Sequence, residues 1–136
     1  MKKDKQSSTT AILLICRRAE TYATLIEVLS HDYLVAICTK FESIQDKIER
    51  DKYSLFIIEH TLNENIVMKV LDFNMLVSQR GSRVILLDGQ PKKEFIAAAF
   101  ARGLCDYFPA PVQHELLVER VHSLVKETAS TIPPLE

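Results

Sequence analysis

Four short apolar runs, separated by segments with helical periodicity, constrain the fold of this chain more than any other feature. The runs cover residues 11–16, 33–38, 54–59 and 83–88, and a shorter one covers residues 105–108. Strands that are apolar throughout, rather than at alternate positions, are typical of a parallel sheet covered by helices on both faces. The sequence therefore predicts a sheet of five buried strands.

The segments between these runs place apolar residues at the three- and four-residue spacing of amphipathic helices. Tyr22 begins the apolar face of the first of them. The predicted helices cover residues 19–30, 41–51, 64–80, 93–102 and 113–127. Gly81 and Gly103 follow the third and fourth helices, where a residue with a left-handed backbone commonly ends a helix.

Strands that alternate with helices across short connections predict right-handed crossovers and a doubly wound sheet. Five such units suit the flavodoxin-like strand order 2-1-3-4-5, in which the functional crevice lies at the carboxyl ends of the strands. We therefore predict an α/β fold, a three-layer sandwich with a five-stranded parallel sheet. The predicted domain covers residues 11–127, after a flexible tail of residues 1–10.

Residues 128–136 are predicted to form a linker or tail, because this segment is polar and contains two prolines. The final Leu135 and Glu136 resemble a cloning junction. We accordingly expect that this domain comes from a longer protein, in which an output domain could be fused after it.

The bulk composition excludes several classes of function. A formal net charge of −1 over 136 residues gives no basic surface for nucleic acid or for an anionic membrane. No apolar stretch approaches the roughly 18 residues of a membrane span. Cys16, Cys38 and Cys105 are widely spaced, which is typical of buried thiols in a reducing compartment. The sequence predicts a cytoplasmic protein without a cofactor or a bound metal.

Charged residues follow three of the apolar runs, where the predicted crevice lies. Arg17 and Arg18 follow the first run, Glu59 ends the third, and Asp88 ends the fourth. The two arginines could attract an anion such as a nucleotide. However, no glycine-rich loop follows the first run, and no nucleophile–base pair is evident from spacing. We therefore expect no enzyme activity and keep an anion-binding domain as an alternative.

Residues 91–112, PKKEFIAAAFARGLCDYFPAPV, carry a more specific signal. They resemble the fourth helix, fifth strand and following loop of response-regulator receiver domains of the chemotaxis type. The shared features are the alanines at 97–99, Gly103, the aromatic Tyr107, and Ala110 before Pro111. The resemblance extends over about residues 11–127, and it implies a role in bacterial two-component signalling and phosphorelay.

The same resemblance implies that the phosphorylation chemistry has been lost. A working receiver has an acceptor Asp after the third strand, two acids after the first, a hydroxyl residue after the fourth, and a Lys before the proline. In this sequence the corresponding residues are Glu59 as the acceptor, Cys16-Arg17 or Arg17-Arg18 as the acidic pair, Asp88 as the hydroxyl residue, and Ala110 as the lysine. The resemblance thus implies a degenerate pseudo-receiver.

Electrostatics makes metal binding and phosphoryl transfer unfavourable with these residues. Mg²⁺ prefers carboxylate and water oxygens, and a guanidinium about 4 Å away repels each unit of its charge by roughly 4 kcal/mol at an effective dielectric of about 20. Phosphoryl transfer depends on cationic groups that stabilise the phosphoryl oxygens. We therefore predict no catalytic residues, no metal and no autophosphorylation.

Two interpretations of Glu59 follow. In the first, Glu59, together with Asp88, forms a permanent ion pair with Arg17 or Arg18 that holds the switch in one state. In the second, these side chains have drifted and point into water. Tyr107 corresponds to the aromatic that moves in switching receivers, and its predicted partner is Asp88.

The function predicted from the resemblance is an atypical, phosphorylation-independent receiver that acts by contact with signalling proteins, or as a homodimer. The predicted contact surface, on the fourth helix, fifth strand and fifth helix, includes Lys92, Lys93, Phe95, Arg102, Tyr107, Glu119 and His122. The first alternative is a phospho-accepting receiver with Glu59 or His60 as an unusual acceptor.

Overall fold

The computed structural model describes residues 10–60, 63–77 and 82–130, with side chains except at residues 76–77 and 127–130. Its five parallel strands are β1 (Ala11–Ile15), β2 (Leu34–Cys38), β3 (Leu55–Glu59), β4 (Arg83–Leu87) and β5 (Asp106–Phe108). The strand order is β2-β1-β3-β4-β5. Both the predicted α/β class and the predicted order are confirmed.

Five α-helices connect and follow the strands. They are α1 (Ala23–Ser30), α2 (Ile44–Arg50), α3 (Glu64–Val77), α4 (Lys93–Ala101) and α5 (His114–Ser130). A 3₁₀ turn precedes each of the first two, at Ala19–Tyr22 and at Phe41–Ser43. Neither turn has a capping side chain at its start, because Arg18 and Lys40 occupy the cap positions. The predicted helices 19–30 and 41–51 therefore begin with a tighter turn.

The helix end predicted at residue 127 is wrong, because α5 continues to Ser130. Nothing in residues 128–130 breaks a helix. The first proline of this segment is Pro133, which restricts the backbone of the residue before it but not earlier residues. Residues 1–9, 131–136 and Gly81 lie outside the described part of the chain, and so do the tail and helix end predicted there. Gly103 ends α4 with a positive φ of 106°, as predicted.

The sheet separates two apolar cores. One contains Leu13, Phe56 and Ile58 and packs against α2, α3 and α4. The other contains Leu14 and Ile57 and packs against α1 and α5. Because all strands run in the same direction, the polar residues that follow β1, β3 and β4 lie together at the carboxyl-terminal end of the sheet.

Candidate functional site

Glu59 lies at the end of β3 and is buried, with a relative exposure of 9%. Its Oε1 accepts a hydrogen bond of 2.8 Å from the backbone N–H of Arg17. A buried carboxylate needs such donors, because burial removes it from water. The interpretation that Glu59 points into solvent is therefore wrong. Arg17 is an exposed residue, and the donor in this bond is its backbone N–H.

The structure brings Tyr22 into the same site. Tyr22 ends the 3₁₀ turn after β1 and is only 3% exposed. Its hydroxyl donates a hydrogen bond to the Asp88 carboxylate, and it also interacts with Glu59. Burial, then the bond to Asp88 and the charge of Glu59, raise the pKa of Tyr22 well above its ordinary value of 10.0. One neutral hydroxyl thus connects the two carboxylates.

Sequence reasoning missed Tyr22 because it assigned this residue only to the apolar face of a helix. A signal was present. A buried tyrosine hydroxyl usually has a hydrogen-bond partner, and Tyr22 closely follows β1 at the edge where Glu59 and Asp88 were expected. The aromatic ring does pack in the core with Leu25 and Leu29. Tyr22 therefore contributes its ring to the core and its hydroxyl to the site.

Asp88 and Gly89 form a turn in which both residues have positive φ, 67° and 78°. Aspartate tolerates this conformation better than most residues. The backbone N–H of Asp88 donates to the Phe108 carbonyl at 2.9 Å, and the Tyr107 hydroxyl donates to the Gly89 carbonyl at 3.0 Å. The predicted pairing of Tyr107 with Asp88 is therefore corrected, because Tyr22 donates to the Asp88 carboxylate and Tyr107 donates to the next residue's backbone.

His60, the residue after β3, is held between several groups. Its backbone N–H donates to the Leu87 carbonyl at 2.8 Å, and its Nε2 lies 3.0 Å from Glu64 Oε2. Its ring lies 5.4 Å from that of Phe95, and the side chain is 14% exposed. The Nδ1 atom faces Gly89 and has no hydrogen-bond partner among the described residues. These contacts restrict the access of any phosphoryl donor to His60.

Cys16 ends the first apolar run and is buried beside Glu59. Burial, and secondly the charge of Glu59, raise the pKa of the Cys16 thiol to about 11. At pH 8 only roughly one in a thousand such thiols carries the negative charge that reacts with alkylating reagents. We therefore expect a thiol reagent at pH 8 to label Cys105, which is half-buried, while Cys16 and the buried Cys38 react only in denaturant.

Mass spectrometry of the alkylated chain measures this difference. The Cys105→Ser variant is the control and should show no labelling before unfolding. Rapid labelling of Cys16 in that variant would contradict the burial described here.

Comparison with known proteins adds the fold family. No protein-family profile and no curated protein matches the sequence. Solved structures do match. A CheY-like receiver domain from Methanospirillum hungatei JF-1 has a TM-score of 0.77 and 19% sequence identity, covering 90% of this chain and 98% of that one. The beryllofluoride-activated NtrC4 receiver domain dimer has a TM-score of 0.77 and 15% identity, covering 87% and 98%.

A structure described as adenylate cyclase from Rhodopirellula baltica also matches, with a TM-score of 0.73 and 18% identity, covering 88% of this chain and 90% of that one. The observed strand order and the match to these receiver structures agree. The chain has the receiver fold. No helix in the described residues is long and apolar enough to cross a membrane.

The residues at the metal-binding position of the receiver fold do not fit a divalent cation. Of the two pairs that the resemblance implies for this position, Cys16 and Arg17 are the pair in which both residues adjoin Glu59. Arg18 instead precedes the 3₁₀ turn and is exposed. A protonated thiol and a guanidinium are poor ligands for Mg²⁺. Within residues 10–60, 63–77 and 82–130, no three His, Cys, Asp or Glu side chains group to hold a metal.

Ala110, at the lysine position of the receiver fold, is exposed and offers only a methyl group. It cannot neutralise an anion in the crevice. An uncharged Ala110 therefore supplies no cation to a phosphoryl group next to Glu59.

Three residues predicted on the contact surface of the receiver fold lie elsewhere. Phe95 is buried against His60, because it is on the core-facing side of α4. Arg102 forms an ion pair of 3.2 Å with Asp72 of α3, so it faces away from β5. His122 contacts Tyr33, near β2 at the opposite side of the sheet. These three assignments are wrong, since the helical spacing did not fix the direction of each side chain.

The other residues predicted there are accessible to different degrees. Lys92, Lys93 and Glu119 are exposed, and Tyr107 is half-buried. Exposed apolar side chains also occur on these elements: Phe100 on α4, 44% exposed, and Leu116 on α5, 51% exposed.

A shallow groove of about 440 Å³ lies beside β5. Its lining residues are Phe108, Leu116, Glu119, Arg120 and Ser123. The ion pair between Arg120 and Asp106, 2.8 Å long, joins α5 to β5 at this place.

Proposed function

We propose that this chain is an atypical receiver domain that works without phosphorylation and without enzyme activity, through contacts with signalling proteins. One observation supports this most directly. The crevice at the carboxyl end of the sheet is closed by the chain's own hydrogen bonds. The Arg17 amide and the Tyr22 hydroxyl already interact with the Glu59 and Asp88 carboxylates.

The charges around Glu59 oppose phosphoryl transfer. An incoming phosphoryl group is anionic. The Asp88 carboxylate lies close to Glu59, because both carboxylates interact with the Tyr22 hydroxyl. Like charges at short range disfavour such a complex unless a cation compensates. Glu59 is also longer than aspartate by one methylene group, which moves its oxygens away from the position that an acceptor requires. These arguments favour Glu59 as a structural group.

The contacts of Tyr107 support the proposal that the crevice keeps one conformation. In the receivers that switch, the corresponding aromatic moves when the site is phosphorylated. Here the Tyr107 hydroxyl donates to the Gly89 carbonyl at 3.0 Å, inside a turn that Asp88 and Gly89 form with positive φ. We propose that this contact holds the resting arrangement without any signal from a phosphoryl group.

The proposed contact surface lies on α4, β5 and α5 and is centred on Phe100, Phe108 and Leu116. Exposed apolar side chains surrounded by charged ones are typical of protein contact sites. Lys93 and Glu119 are exposed on the two helices and could provide the charged rim. The partner is a signalling protein, and a fused output domain is one form that it could take.

Treatment with acetyl phosphate or beryllofluoride in the presence of Mg²⁺ tests the proposal. We expect no mass increase with acetyl phosphate, and no change in the amide NMR spectrum with beryllofluoride. An ordinary receiver domain in parallel samples is the control for the reagents. A phosphoryl group found on Glu59 or His60 would contradict the proposal and support the phospho-accepting alternative.

A further inference from the structure

The two nitrogen atoms of the His60 ring have different surroundings. Nε2 lies 3.0 Å from Oε2 of Glu64, whose side chain is 49% exposed. Nδ1 is buried and has no hydrogen-bond partner within the described part of the chain. A Cβ atom built on Gly89 would lie 2.1 Å from Nδ1, so this nitrogen faces the Cα atom of Gly89. A carbon atom there accepts no hydrogen bond.

These surroundings suit the neutral ring with its proton on Nε2. In that form Nε2–H donates to Glu64, and Nδ1 carries a lone pair. The protonated ring carries a second N–H at Nδ1, and this donor would be buried against Gly89 without an acceptor. A buried charged donor without an acceptor is costly, whereas an ion pair with a half-exposed carboxylate stabilises only weakly. The protonated ring therefore does not fit the position that the neutral ring occupies.

No other group near the ring supplies the missing acceptor. Among the described residues, Glu64 is the one charged side chain that contacts the His60 ring. The nearby carboxylates of Glu59 and Asp88 accept hydrogen bonds from other groups. Helix α4 contributes the apolar ring of Phe95, whose centroid lies 5.4 Å from that of His60.

Gly89 connects the His60 ring to Tyr107 of β5. The ring packs against the Cα atom of Gly89, and the Gly89 carbonyl accepts a 3.0 Å hydrogen bond from the Tyr107 hydroxyl. Burial, and secondly the charge of Asp88, raise the pKa of Tyr107 above its ordinary 10.0, so this hydroxyl remains a donor at neutral pH. A ring that leaves its position removes packing from the turn that holds Tyr107.

We propose that His60 is a pH-sensitive switch, in which the neutral ring packs against Gly89 and Phe95 and the protonated ring leaves that position and loosens Tyr107. Histidine is the side chain whose charge ordinarily changes between about pH 5 and pH 8. The switch itself does not rest on the proposed function. Its effect on partner proteins does, because Tyr107 lies on the proposed contact surface of α4, β5 and α5.

NMR spectra of the full chain, recorded from about pH 8 to about pH 5, test the switch. We expect the His60 ring signals and the amide signals of Gly89 and Tyr107 to change together, along one titration curve. The nuclear Overhauser contacts between the rings of His60 and Phe95 should be lost on the acid side of that curve. The absence of phosphorylation is tested separately with acetyl phosphate, so the two proposals can fail independently.

Variants assign the transition to His60. In His60→Gln, the amide signals of Gly89 and Tyr107 should no longer change along this curve, and circular dichroism checks that the variant is folded. Glu64→Gln should move the midpoint of the wild-type curve to lower pH by about half a unit, since the protonated ring loses a partly screened negative charge. Glu27→Gln is the matched control. Glu27 is exposed on α1, at the opposite face of the sheet, and its replacement should leave the midpoint unchanged.

Two results would overturn the proposal. In one, the His60 ring titrates while its contacts with Phe95 persist and the amide signals of Gly89 and Tyr107 stay in place. In the other, these amide signals change with pH in His60→Gln as they do in the wild type, which would assign the transition to a carboxylate such as Glu59 or Asp88.

Discussion

Replacing Gly89 by alanine is expected to lower the free energy of unfolding by about 3 kcal/mol, from about 1 kcal/mol of backbone strain at positive φ and about 2 of steric overlap. Gly89 has a φ of 78°, and a Cβ atom there would overlap Nδ1 of His60. His60 cannot move away easily, because Phe95 and Glu64 hold its ring. Urea unfolding followed by circular dichroism measures the loss.

Two further variants separate strain from overlap. Gly103 also has a positive φ, 106°, but nothing lies within 4 Å of a Cβ built there. Gly103→Ala therefore reports backbone strain alone and should cost about 1 to 2 kcal/mol. The ring that overlaps the new Cβ atom is absent in the His60→Ala variant. Gly89→Ala should therefore lower the free energy of unfolding less in that variant than in the wild-type protein. An equal cost in both backgrounds would show that His60 and Gly89 are not in contact.

Replacing Tyr22 by phenylalanine is expected to cost about 2 kcal/mol of unfolding free energy at pH 7, because a buried acceptor loses its donor. The hydroxyl donates to Asp88 and interacts with Glu59. The ring remains in the core, so the packing loss is small. Chemical denaturation measures the difference between the two proteins.

The same pair of proteins should differ in pH dependence. Folding raises the pKa of the Tyr22 hydroxyl above its ordinary value of 10.0. At alkaline pH the folded state therefore keeps a proton on this hydroxyl that the unfolded state loses. The stabilisation is complete below about pH 10 and decreases above it by up to about 1.4 kcal/mol per pH unit. The difference between wild type and Tyr22→Phe should therefore shrink as the pH rises above 10.

Tyr53→Phe is the matched control. Its hydroxyl donates to Asp51 at 3.1 Å in an exposed position, so its removal should cost less than about 1 kcal/mol. If Tyr22→Phe costs no more than Tyr53→Phe, the hydroxyl does not connect the carboxylates, and the crevice is not closed in the way described.

The fold could be predicted because its signals are local and repeated. Continuous apolar runs, the alternation of strands with helices, and Gly103 after α4 each depend on residues close together in sequence. The helix starts were less predictable. Two helices begin with 3₁₀ turns, at Ala19–Tyr22 and Phe41–Ser43, and hydrophobic spacing does not distinguish such a turn from the first turn of an α-helix.

The candidate site was predictable only in part. Glu59 and Asp88 were expected at one edge because parallel strands end together. The groups that donate hydrogen bonds to these carboxylates could not be predicted. One is the backbone N–H of Arg17, which the residue type does not reveal, and the other is the hydroxyl of Tyr22, whose ring fits a helical apolar pattern. The misplaced surface residues have a similar cause. Phe95, Arg102 and His122 lie on the expected helices, but a small rotation about a helix axis decides which neighbour each one contacts.

The donor from residue 17 to Glu59 is a peptide N–H. A main-chain donor is present with every residue type except proline, so the chain could exchange Arg17 for almost any other residue and keep this bond. Tyr22 has no such freedom, because no other side chain combines its ring with a hydroxyl at that distance. Distant homologues with the same closed crevice should accordingly be recognisable by a tyrosine at this position together with a glutamate after the third strand, whatever residue occupies position 17.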